Sequence, residues 1–415
     1  MKPNSGALRY FARIKNGTTP ASSEPEYWDG NVRWATPEDL GKLTSDKIFD
    51  TKRLVTEKAV AECNLTVLPV GSIIISTRAP IGHMAINQIP MGFNQGCRGI
   101  IPKEQIYGPF LYHLVKSRTP ELNATANGTT FVELSRHDLA SMFIKFPPFA
   151  VQQRISRFLD EKTARIDRLI AKKRELLNLM AEKRQALITK TVTKGLNPNV
   201  QMKPSGIDWL GDIPAHWEIR GLTKCTSRID YRGATPEKSN SGVFLVTAKN
   251  IKNGQIDYES SKEYIPEETY EYVMRRGKPQ LGEVLFTTEA PLGEVARVDH
   301  ADIALAQRII KFSTALEGLL NAYLAYWMYS SAFRSDVVRR ATGSTAVGIK
   351  ASKIVELRCL LPPKYEQAKI SKFLDKDAAA RTVVAKKIQT SIERLSEYRA
   401  ALTTATVTGQ IAEMR

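Results

Sequence analysis

An internal duplication constrains this chain more than any other feature of its sequence. The segment 71–82 aligns with 282–293, and both contain an Ala-Pro-x-Gly motif. Further on, 147–160 aligns with 362–375. The displacement stays near 211 to 215 positions, which is too constant for a chance of composition and too long for a solenoid repeat. We therefore expect two copies of one module, each with a globular domain and a long helix.

Each globular part is predicted to contain short strands and turns. The runs Ile73-Ile74-Ile75 and Val284-Leu285-Phe286 follow a glycine and lead into a proline turn, which is typical of strands. A further strand is expected at 243–246, stopped by a hairpin turn at Asn253-Gly254. Helical spacing predicts two helices, at 110–116 and 319–333.

A long helix is predicted to follow the Pro-Pro pair of each copy, because proline fits a helix start and blocks backward extension. Apolar residues then recur at steps of three, four and seven, the spacing of a coiled-coil seam. The seam and docking candidates are Ile155, Leu159, Ile166, Ile170, Leu177, Ile370, Leu374, Ile388, Leu395 and Leu402. A helix over 151–193 would be about 64 Å long at ~1.5 Å per residue.

These patterns predict an α+β fold in which two pseudo-twofold-related α/β domains are separated by an antiparallel coiled coil of two long helices. The Gly195-Leu196-Asn197-Pro198-Asn199 segment ends the first helix and serves as a linker. The expected boundaries are a first domain at 1–148, a central helix at 149–195, a linker at 196–206, a second domain at 207–363 and a C-terminal helix at 364–415.

The charge balance points to a polyanionic partner. The chain has 60 Lys+Arg against 43 Asp+Glu, a formal net charge of +17, and nucleic acid is the natural partner for such an excess. The basic clusters Lys172-Lys173-Arg174 and Lys183-Arg184 lie on the first long helix, where they fit phosphate contact, an acidic partner or a solvated face about equally. No signal peptide or membrane-length apolar run is evident, which favours the cytoplasm.

Motifs for catalysis and metal binding are not found in the sequence. Phosphate-loop, dinucleotide, zinc-protease and nucleophile-elbow patterns are missing, and the four cysteines have no metal-like spacing. The run Phe146-Pro147-Pro148-Phe149 looks like an amino-methyltransferase loop but lacks its polar first residue. We expect no catalytic residue, cofactor or metal on this chain, with a lone enzyme or a non-reading scaffold as alternatives.

Polar residues on the turns of each copy are the candidates for DNA contact. Arginine and asparagine can read guanine and adenine edges, and serine and threonine contact bases or phosphates. The candidates are Arg78, Arg98, Thr129, Thr130, Arg136, Arg232, Lys249, Asn250, Arg308, Ser344, Thr345 and Lys350. Gln95 and Gln307 lie at matching places, where a shared structural hydrogen bond is slightly favoured over a role in binding.

The combined motifs resemble the specificity subunit of type I restriction–modification systems. The resemblance is carried by the Pro-Pro-x-x-Glu-Gln-x-x-Ile-x-x-Phe-Leu-Asp run at 362–375, its copy at 147–160, the segment 205–218, the Ala-Pro-x-Gly turns and the Thr-Val-Thr-x-Gly ends of the helices. It covers essentially the whole chain.

The resemblance implies that two target-recognition domains each read half of a bipartite, asymmetric double-stranded DNA site. The paired helices would set the gap between the halves and bind two modification (methyltransferase) subunits. Restriction subunits would join this assembly. S-adenosylmethionine, ATP and Mg²⁺ would bind to the partner subunits, and this chain would be non-catalytic.

Two departures separate the copies. Val151 stands where the second copy has Glu366, so a cap or ion pair made by that glutamate is expected once only. The tryptophan-containing segment 207–218 has no match in the first copy, although 1–6 resembles 202–206. The entry strand of the first domain is therefore expected to be built differently.

Overall fold

A computed structural model describes residues 4–78, 80–125, 133–233, 236–314, 318–342 and 347–411. The chain forms two compact units. Unit 1 comprises Met1–Lys173 with Gln389–Arg415, and unit 2 comprises Arg174–Ile388. Each unit therefore contains one globular part and segments of both long helices.

Unit 1 mixes short strands and helices ahead of the first long helix. Its strands are β1 (Asn4–Ala7), β2 (Ala12–Asn16), β3 (Trp28–Ala35), β4 (Lys47–Ile48), β5 (Leu54–Val55), β6 (Ile73–Ser76), β7 (Met84–Asn87), β8 (Gly92–Phe93), β9 (Cys97–Pro102) and β10 (Phe143–Phe146). Its helices are α1 (Leu8–Phe11), α2 (Pro37–Lys42), α3 (Glu57–Glu62), α4 (Gly108–Ser117), α5 (Thr119–Thr125) and α6 (Arg136–Ser141), followed by the long α7 (Phe149–Lys194), which continues into unit 2.

Unit 2 follows a similar order, with two extra strands at its start and one more among the later strands. Its strands are β11 (Met202–Pro204), β12 (Asp212–Pro214), β13 (Glu218–Gly221), β14 (Thr226–Asp230), β15 (Val243–Val246), β16 (Ile251–Lys252), β17 (Gln255–Ile256), β18 (Tyr264–Ile265), β19 (Val284–Thr288), β20 (Leu292–Arg297), β21 (Ile303–Leu305), β22 (Ile309–Thr314) and β23 (Arg358–Leu361). Its helices are α8 (Leu222–Cys225), α9 (Tyr270–Val273), α10 (Asn321–Tyr329), α11 (Ser331–Arg340) and α12 (Ala351–Ile354), followed by the long α13 (Lys364–Val407), which continues into unit 1.

The two units share one topology. The main sheet has the order β2-β9-β6-β7-β4 in unit 1 and β14-β22-β19-β20 in unit 2. A second sheet has the order β5-β3-β8 in unit 1 and β18-β15-β21 in unit 2, with the β3–β8 and β15–β21 pairs both parallel. The duplication read from the sequence is therefore a duplication of strand order.

The same local chemistry starts matching helical turns in both units. Thr36 caps α2, and its N3 residue Asp39 accepts a hydrogen bond from the backbone N–H of Thr36. In unit 2, Thr247 and Asn250 form the same reciprocal capping box ahead of a short 3₁₀ turn. Because each box satisfies backbone donors at a helix start, the Thr-x-x-Asp/Asn spacing fixes the chain direction after the central strand of the second sheet.

The long helices are antiparallel within unit 1. Arg399 near the end of α13 pairs with Asp167 in the first half of α7, at 2.8 Å between Nε and Oδ1. Val407 from the last turn of α13 shares a core cluster with Ile155 and Leu159 from the first turns of α7. The first turns of α7 are therefore anchored in the globular core as well as against the other helix.

In unit 2 the long helices are also antiparallel, with the last turns of α7 beside the first turns of α13. Here Ile188 and Val192 from the last turns of α7 share a core cluster with Ile370 and Leu374 from the first turns of α13. The helix contact continues where the Arg381 guanidinium approaches the carbonyl oxygen of Met180 at 3.5 Å. Both segments are thus paired antiparallel, as predicted from the duplication of the chain.

Two expectations need correction. The segment 319–333 is not one helix but two, because the Ser330 hydroxyl accepts a hydrogen bond from the Phe333 N–H and starts a new helix. The match of 1–6 with 202–206 is also wrong. Strand β1 pairs with β10 in the same way that β13 pairs with β23, so Asn4–Ala7 corresponds to Glu218–Gly221. The entry strand of unit 1 is therefore built as in unit 2.

The predicted strands at 73–75, 243–246 and 284–286 are present, as is the helix at 110–116. The predicted Asn253-Gly254 turn does form, but it joins β16 to β17 and does not directly end β15. Both turn residues have positive φ, 53° and 83°, which suits a two-residue hairpin.

Candidate nucleic-acid interface

A cluster of two arginines and one glutamate lies at one end of the main sheet in unit 1. Arg78 follows β6, Arg98 is the second residue of β9, and Glu133 forms an isolated β-bridge with Arg78. The carboxylate of Glu133 accepts a hydrogen bond from Arg78 Nε at 3.1 Å and another from Arg98 Nη2 at 3.0 Å. One carboxylate therefore holds both guanidinium groups.

The two arginines differ in exposure. The Arg98 side chain is only 13% exposed, and its Nη1 donates to the carbonyl oxygens of Gln95 and Cys97 at 3.0 and 3.1 Å. The Arg78 side chain is 48% exposed. Arg78 is thus the arginine that can contact an external ligand, whereas the mostly buried Arg98 holds the Glu133 carboxylate in place.

Unit 2 has a related arrangement with the charges exchanged. Glu289 occupies the position after β19 that Arg78 occupies after β6, and Arg308 precedes β22. Arg308 Nε lies 2.9 Å from Glu289 Oε1, and its side chain is 46% exposed. The carbonyl oxygen of Arg308 accepts a hydrogen bond from Thr288 N at 2.8 Å, as that of Gly96 does from Thr77 N at 2.9 Å in unit 1. Each unit therefore presents one exposed arginine against one carboxylate at the same place in the fold.

A cavity of about 210 Å³ adjoins Arg308. Lys238, Lys249, Gln307 and Glu263 also line it. Lys238 Nζ lies 2.7 Å from Glu263 Oε2, and its hydrogen bond is the main cause that holds the pKa of Glu263 below the ordinary value. The candidates Lys249 and Arg308 are therefore brought together, with Gln307 between two strands beside them.

Arg232 and Asn250 are placed differently from the other candidates in unit 2. Arg232 donates from Nε to Asp230 Oδ1 at 2.9 Å and from Nη1 to the Ile349 carbonyl oxygen at 3.1 Å. Burial disfavours the charged form of Asp230, but the hydrogen bonds from Arg232 outweigh it and hold the pKa of Asp230 below its ordinary value. Arg232 is thus committed to an internal ion pair.

Asn250 is completely buried. Its amide oxygen accepts from Thr247, and its amide nitrogen donates to the carbonyl oxygens of Asp257 and Ser261 at 2.9 and 2.8 Å. Every polar atom of the side chain is therefore used inside the fold, and we leave Asn250 out of the proposed contact set.

The other turn candidates divide by placement. Arg136 and Lys350 are exposed, at the starts of α6 and α12. Thr129, Thr130, Ser344 and Thr345 lie outside the described residues. Gln95 is exposed, and its backbone carbonyl oxygen accepts from Arg98.

The seam candidates also divide by burial. The buried members are Ile155, Leu159, Ile166, Ile170, Ile370, Leu374 and Ile388. Of these, Ile155, Leu159, Ile370 and Leu374 belong to the core clusters of the globular parts. Leu177, Leu395 and Leu402 are half-buried. Exposed apolar side chains are found elsewhere on the helices, including Leu176, Leu179, Val383 and Val384 in unit 2.

A repeated glutamine was missed from the sequence as a structural residue. Gln152 and Gln367, each 0% exposed, follow the Pro-Pro pairs. Gln152 accepts from Tyr107 N at 2.8 Å and donates to the carbonyl oxygens of Gln105 and Pro147. Gln367 repeats this pattern in unit 2. The recurring Pro-Pro-x-x-x-Gln spacing is the signal that could have revealed it.

The difference between Val151 in the first copy and Glu366 in the second has a structural counterpart. Glu366 Oε2 accepts from Trp217 Nε1 at 3.0 Å, and Oε1 lies 2.6 Å from His216 Nε2. Burial disfavours its charged form, but the hydrogen bonds with His216, Trp217 and Tyr365 lower the pKa of Glu366 overall. The first copy lacks both the tryptophan segment and the glutamate, so the two halves of this contact are present in the second copy alone.

One group of side chains in unit 1 has the geometry of a cation site. One ligand atom each from Asp46, His113 and Asp160 lies within 4.8 Å of the others. His113 Nε2 is 2.9 Å from Asp160 Oδ1, so a proton can satisfy this pair as well as a metal. Because the three residues are far apart in the chain, sequence spacing gave no indication of the group.

Comparisons with known proteins agree with the duplicated architecture. The family model for the type I restriction modification DNA specificity domain matches residues 6–179 and 228–394. The chain is 28% identical to the MjaIX specificity subunit of a type I restriction enzyme from Methanocaldococcus jannaschii, over 86% of this chain and 82% of that protein. It is 22% identical to the EcoKI specificity subunit from Escherichia coli strain K12, over 89% of this chain and 79% of that protein.

A solved structure agrees at the level of the fold. A chain from a study of complex assembly and conformational transition in a type I R-M system superposes with a TM-score of 0.63 at 16% identity, covering 98% of this chain and 97% of that one. Among the described residues, no helix combines the length and apolarity needed to cross a membrane.

Proposed function

The chain belongs to the type I restriction modification DNA specificity family, and we propose that its two units each read one half of a bipartite, asymmetric DNA sequence. As a specificity subunit with two target-recognition domains, it is the non-catalytic, DNA-recognising member of such a system. The finer proposal concerns what the two units do separately and what lies between the half-sites.

One observation carries this proposal. The units share strand order, yet the side chains at the equivalent sheet end differ, with Arg78 and Glu133 in unit 1 and Glu289 and Arg308 in unit 2. A common frame with unlike side chains suits the recognition of two unlike half-sites. The net charge of +17 supplies the sequence-independent attraction to phosphate.

We further propose that the long helices set the gap between the half-sites and bind two modification subunits, which restriction subunits join. Exposed Leu176, Leu179, Val383 and Val384 provide apolar surface for such partners. S-adenosylmethionine, ATP and Mg²⁺ would act on those partner subunits. This chain would contribute sequence recognition and positioning.

The helix proposal is tested by lengthening both helices together. Four residues are inserted after Leu177 in α7 and four after Val384 in α13, two positions that the Arg381–Met180 contact brings near one another. Four residues add about 6 Å of helix, which corresponds to roughly two base pairs at ~3.4 Å each. Adenine methylation is mapped across the genome with the gene intact, deleted and replaced by the variant.

We expect the variant to retain both half-sites and to lengthen the unspecified gap by about two base pairs. The same four residues inserted at Asn197, in the exposed linker after α7, are the matched control and are expected to leave the gap unchanged. A variant that changes either half-site, or a deletion that removes no bipartite motif, contradicts the proposal.

A further inference from the structure

We infer that Arg78 and Arg308 each read a guanine, one in each half of the DNA site, and that Glu133 and Glu289 are the positioning residues that orient them. This inference rests on the proposed function and deepens it by naming the base and the side chains involved.

The geometry in unit 1 leaves the right atoms of Arg78 available. Its Nε is bound to Glu133, and neither of its Nη atoms has a hydrogen-bond partner among the described residues. Those two Nη groups form a planar fork, and an arginine fork donates two hydrogen bonds to the O6 and N7 atoms of guanine. Glu133 therefore binds the Nε edge of the Arg78 guanidinium and leaves the two Nη groups for a ligand.

The carboxylate of Glu133 is itself held in place. Its other oxygen accepts from Arg98 Nη2, and the Arg98 guanidinium is anchored by two carbonyl oxygens of the chain at the start of β9. Because Arg98 is mostly buried, rotation of Glu133 away from Arg78 would leave a buried charge without its partner. The three side chains thus form an ordered series in which exposure increases from Arg98 at 13% through Glu133 at 30% to Arg78 at 48%.

Unit 2 builds a comparable element from different positions. Arg308 contacts Glu289 through Nε, and its Nη atoms have no hydrogen-bond partner among the described residues. The backbone of Arg308 has a φ of 77°, and its carbonyl oxygen is fixed by Thr288. The position that carries arginine in unit 1 carries glutamate in unit 2. An arginine held at Nε by a carboxylate therefore occurs twice, although different positions of the shared fold supply it in the two units.

The adjacent carboxylate favours base contact over phosphate contact. A glutamate beside an arginine repels a phosphate, and it weakens the attraction that a lone arginine would provide. At a base edge the same carboxylate is an acceptor for cytosine N4, so an Arg–Glu pair complements a G·C pair. The chain has many exposed lysines and arginines for phosphate contact, and these two arginines are distinguished by lying, each held at Nε by a carboxylate, at the same end of the main sheet of each unit.

The test is a selection from a duplex DNA library with randomised half-sites, using the full-length chain co-expressed with its modification subunits. The wild type and the Arg78→Lys, Glu133→Gln and Arg308→Lys variants are compared by base preference at each position. Arg118→Lys is the matched control, because Arg118 is also an exposed arginine of unit 1 paired with a glutamate, Glu121.

We expect Arg78→Lys to reduce the preference for guanine at one position of one half-site by roughly 5- to 150-fold, since lysine keeps the charge but loses the fork. Glu133→Gln should weaken the preference at that same position. Arg308→Lys should act on one position of the other half-site. The control should leave the selected motif unchanged.

A second variant keeps the inference testable if Arg78→Lys perturbs folding. Arg78→Gln is expected to shift the preference at the same position from guanine towards adenine, because glutamine can pair with adenine N6 and N7. A purely structural role for Arg78 would not produce a change of base.

The outcomes separate this inference from the function on which it rests. A wild-type chain that selects no bipartite motif overturns the proposed function and the inference together. A wild-type motif with an Arg78→Lys variant that loses affinity equally for all sequences, or keeps its guanine preference, overturns the inference alone.

Discussion

Replacement of Gln152 by leucine tests how the first long helix is joined to its domain. The side chain is 0% exposed and bonds to one backbone N–H, at Tyr107, and two carbonyl oxygens, at Gln105 and Pro147. Leucine keeps the volume but removes every one of these hydrogen bonds. The Tyr107 N–H, just before α4, would then be left without its acceptor.

The magnitude follows from those three bonds. An orphaned buried donor costs about 1–3 kcal/mol, and each lost bond to a carbonyl oxygen contributes about 1 kcal/mol. The burial of leucine offsets part of this loss, so we expect destabilisation of about 2–4 kcal/mol. For domains of this size, that lowers the melting temperature by about 4–16 °C.

Calorimetric melting and hydrogen exchange of the Tyr107 amide measure the effect. Gln153→Leu is the control, since Gln153 is the neighbouring, half-exposed glutamine in the same helical turn. Surface changes of this kind are usually within about 0.5 kcal/mol. The reasoning is refuted if Gln152→Leu melts at the same temperature as Gln153→Leu, or if exchange at Tyr107 is not accelerated.

Two further predictions concern unit 2. Lys311 and Glu283 form a buried ion pair, with side chains 4% and 6% exposed. Lys311→Met should lower the free energy of unfolding by about 3–5 kcal/mol, because it leaves the Glu283 charge without its partner. The double variant Lys311→Met with Glu283→Leu should recover most of that loss, and urea unfolding measures both effects. The pKa of Glu366 is lowered in the folded state, so its stabilisation is complete above the ordinary value of 4.5 and is lost as the pH falls through the lower folded pKa. Glu366→Gln should therefore show a weaker fall in the free energy of unfolding between pH 5 and 3, and an equal fall in both proteins would contradict this assignment.

The sequence predicted the duplication, the long helices and several strands because each rests on a periodic or repeated pattern. The apolar spacing that predicted a coiled-coil seam is the spacing that buries Ile155 and Leu159 in one core and Ile370 and Leu374 in the other. Such patterns can be recognised in the sequence without knowledge of tertiary contacts. The break at Ser330 was missed, because a single serine can lie within a helix or cap a new one, and the choice depends on packing.

Residue-level roles were harder to predict because they depend on contacts between distant parts of the chain. Asn250 was selected as a base-reading candidate by residue type, yet the Thr247-x-x-Asn250 spacing matches the capping box of Thr36 and Asp39 in the other copy. A comparison of the copies could have assigned it to the backbone. The partnership of Arg78 with Glu133 had no such signal, since 55 positions separate the two residues.

The two copies share side chains that maintain the fold and differ in side chains at the exposed end of the main sheet. Where the copies agree, as at Gln152 and Gln367, the side chains are buried and bond to the backbone, so their repetition preserves the frame. Where they disagree at the sheet end, the side chains are exposed and carry opposite charge, as with Arg78 and Glu289. Maintenance of the fold does not by itself explain why arginine in one unit is replaced by glutamate at the equivalent position of the other, where the strand order is the same. Recognition of two different half-sites does explain it, and it requires the difference to lie at exposed turns such as these.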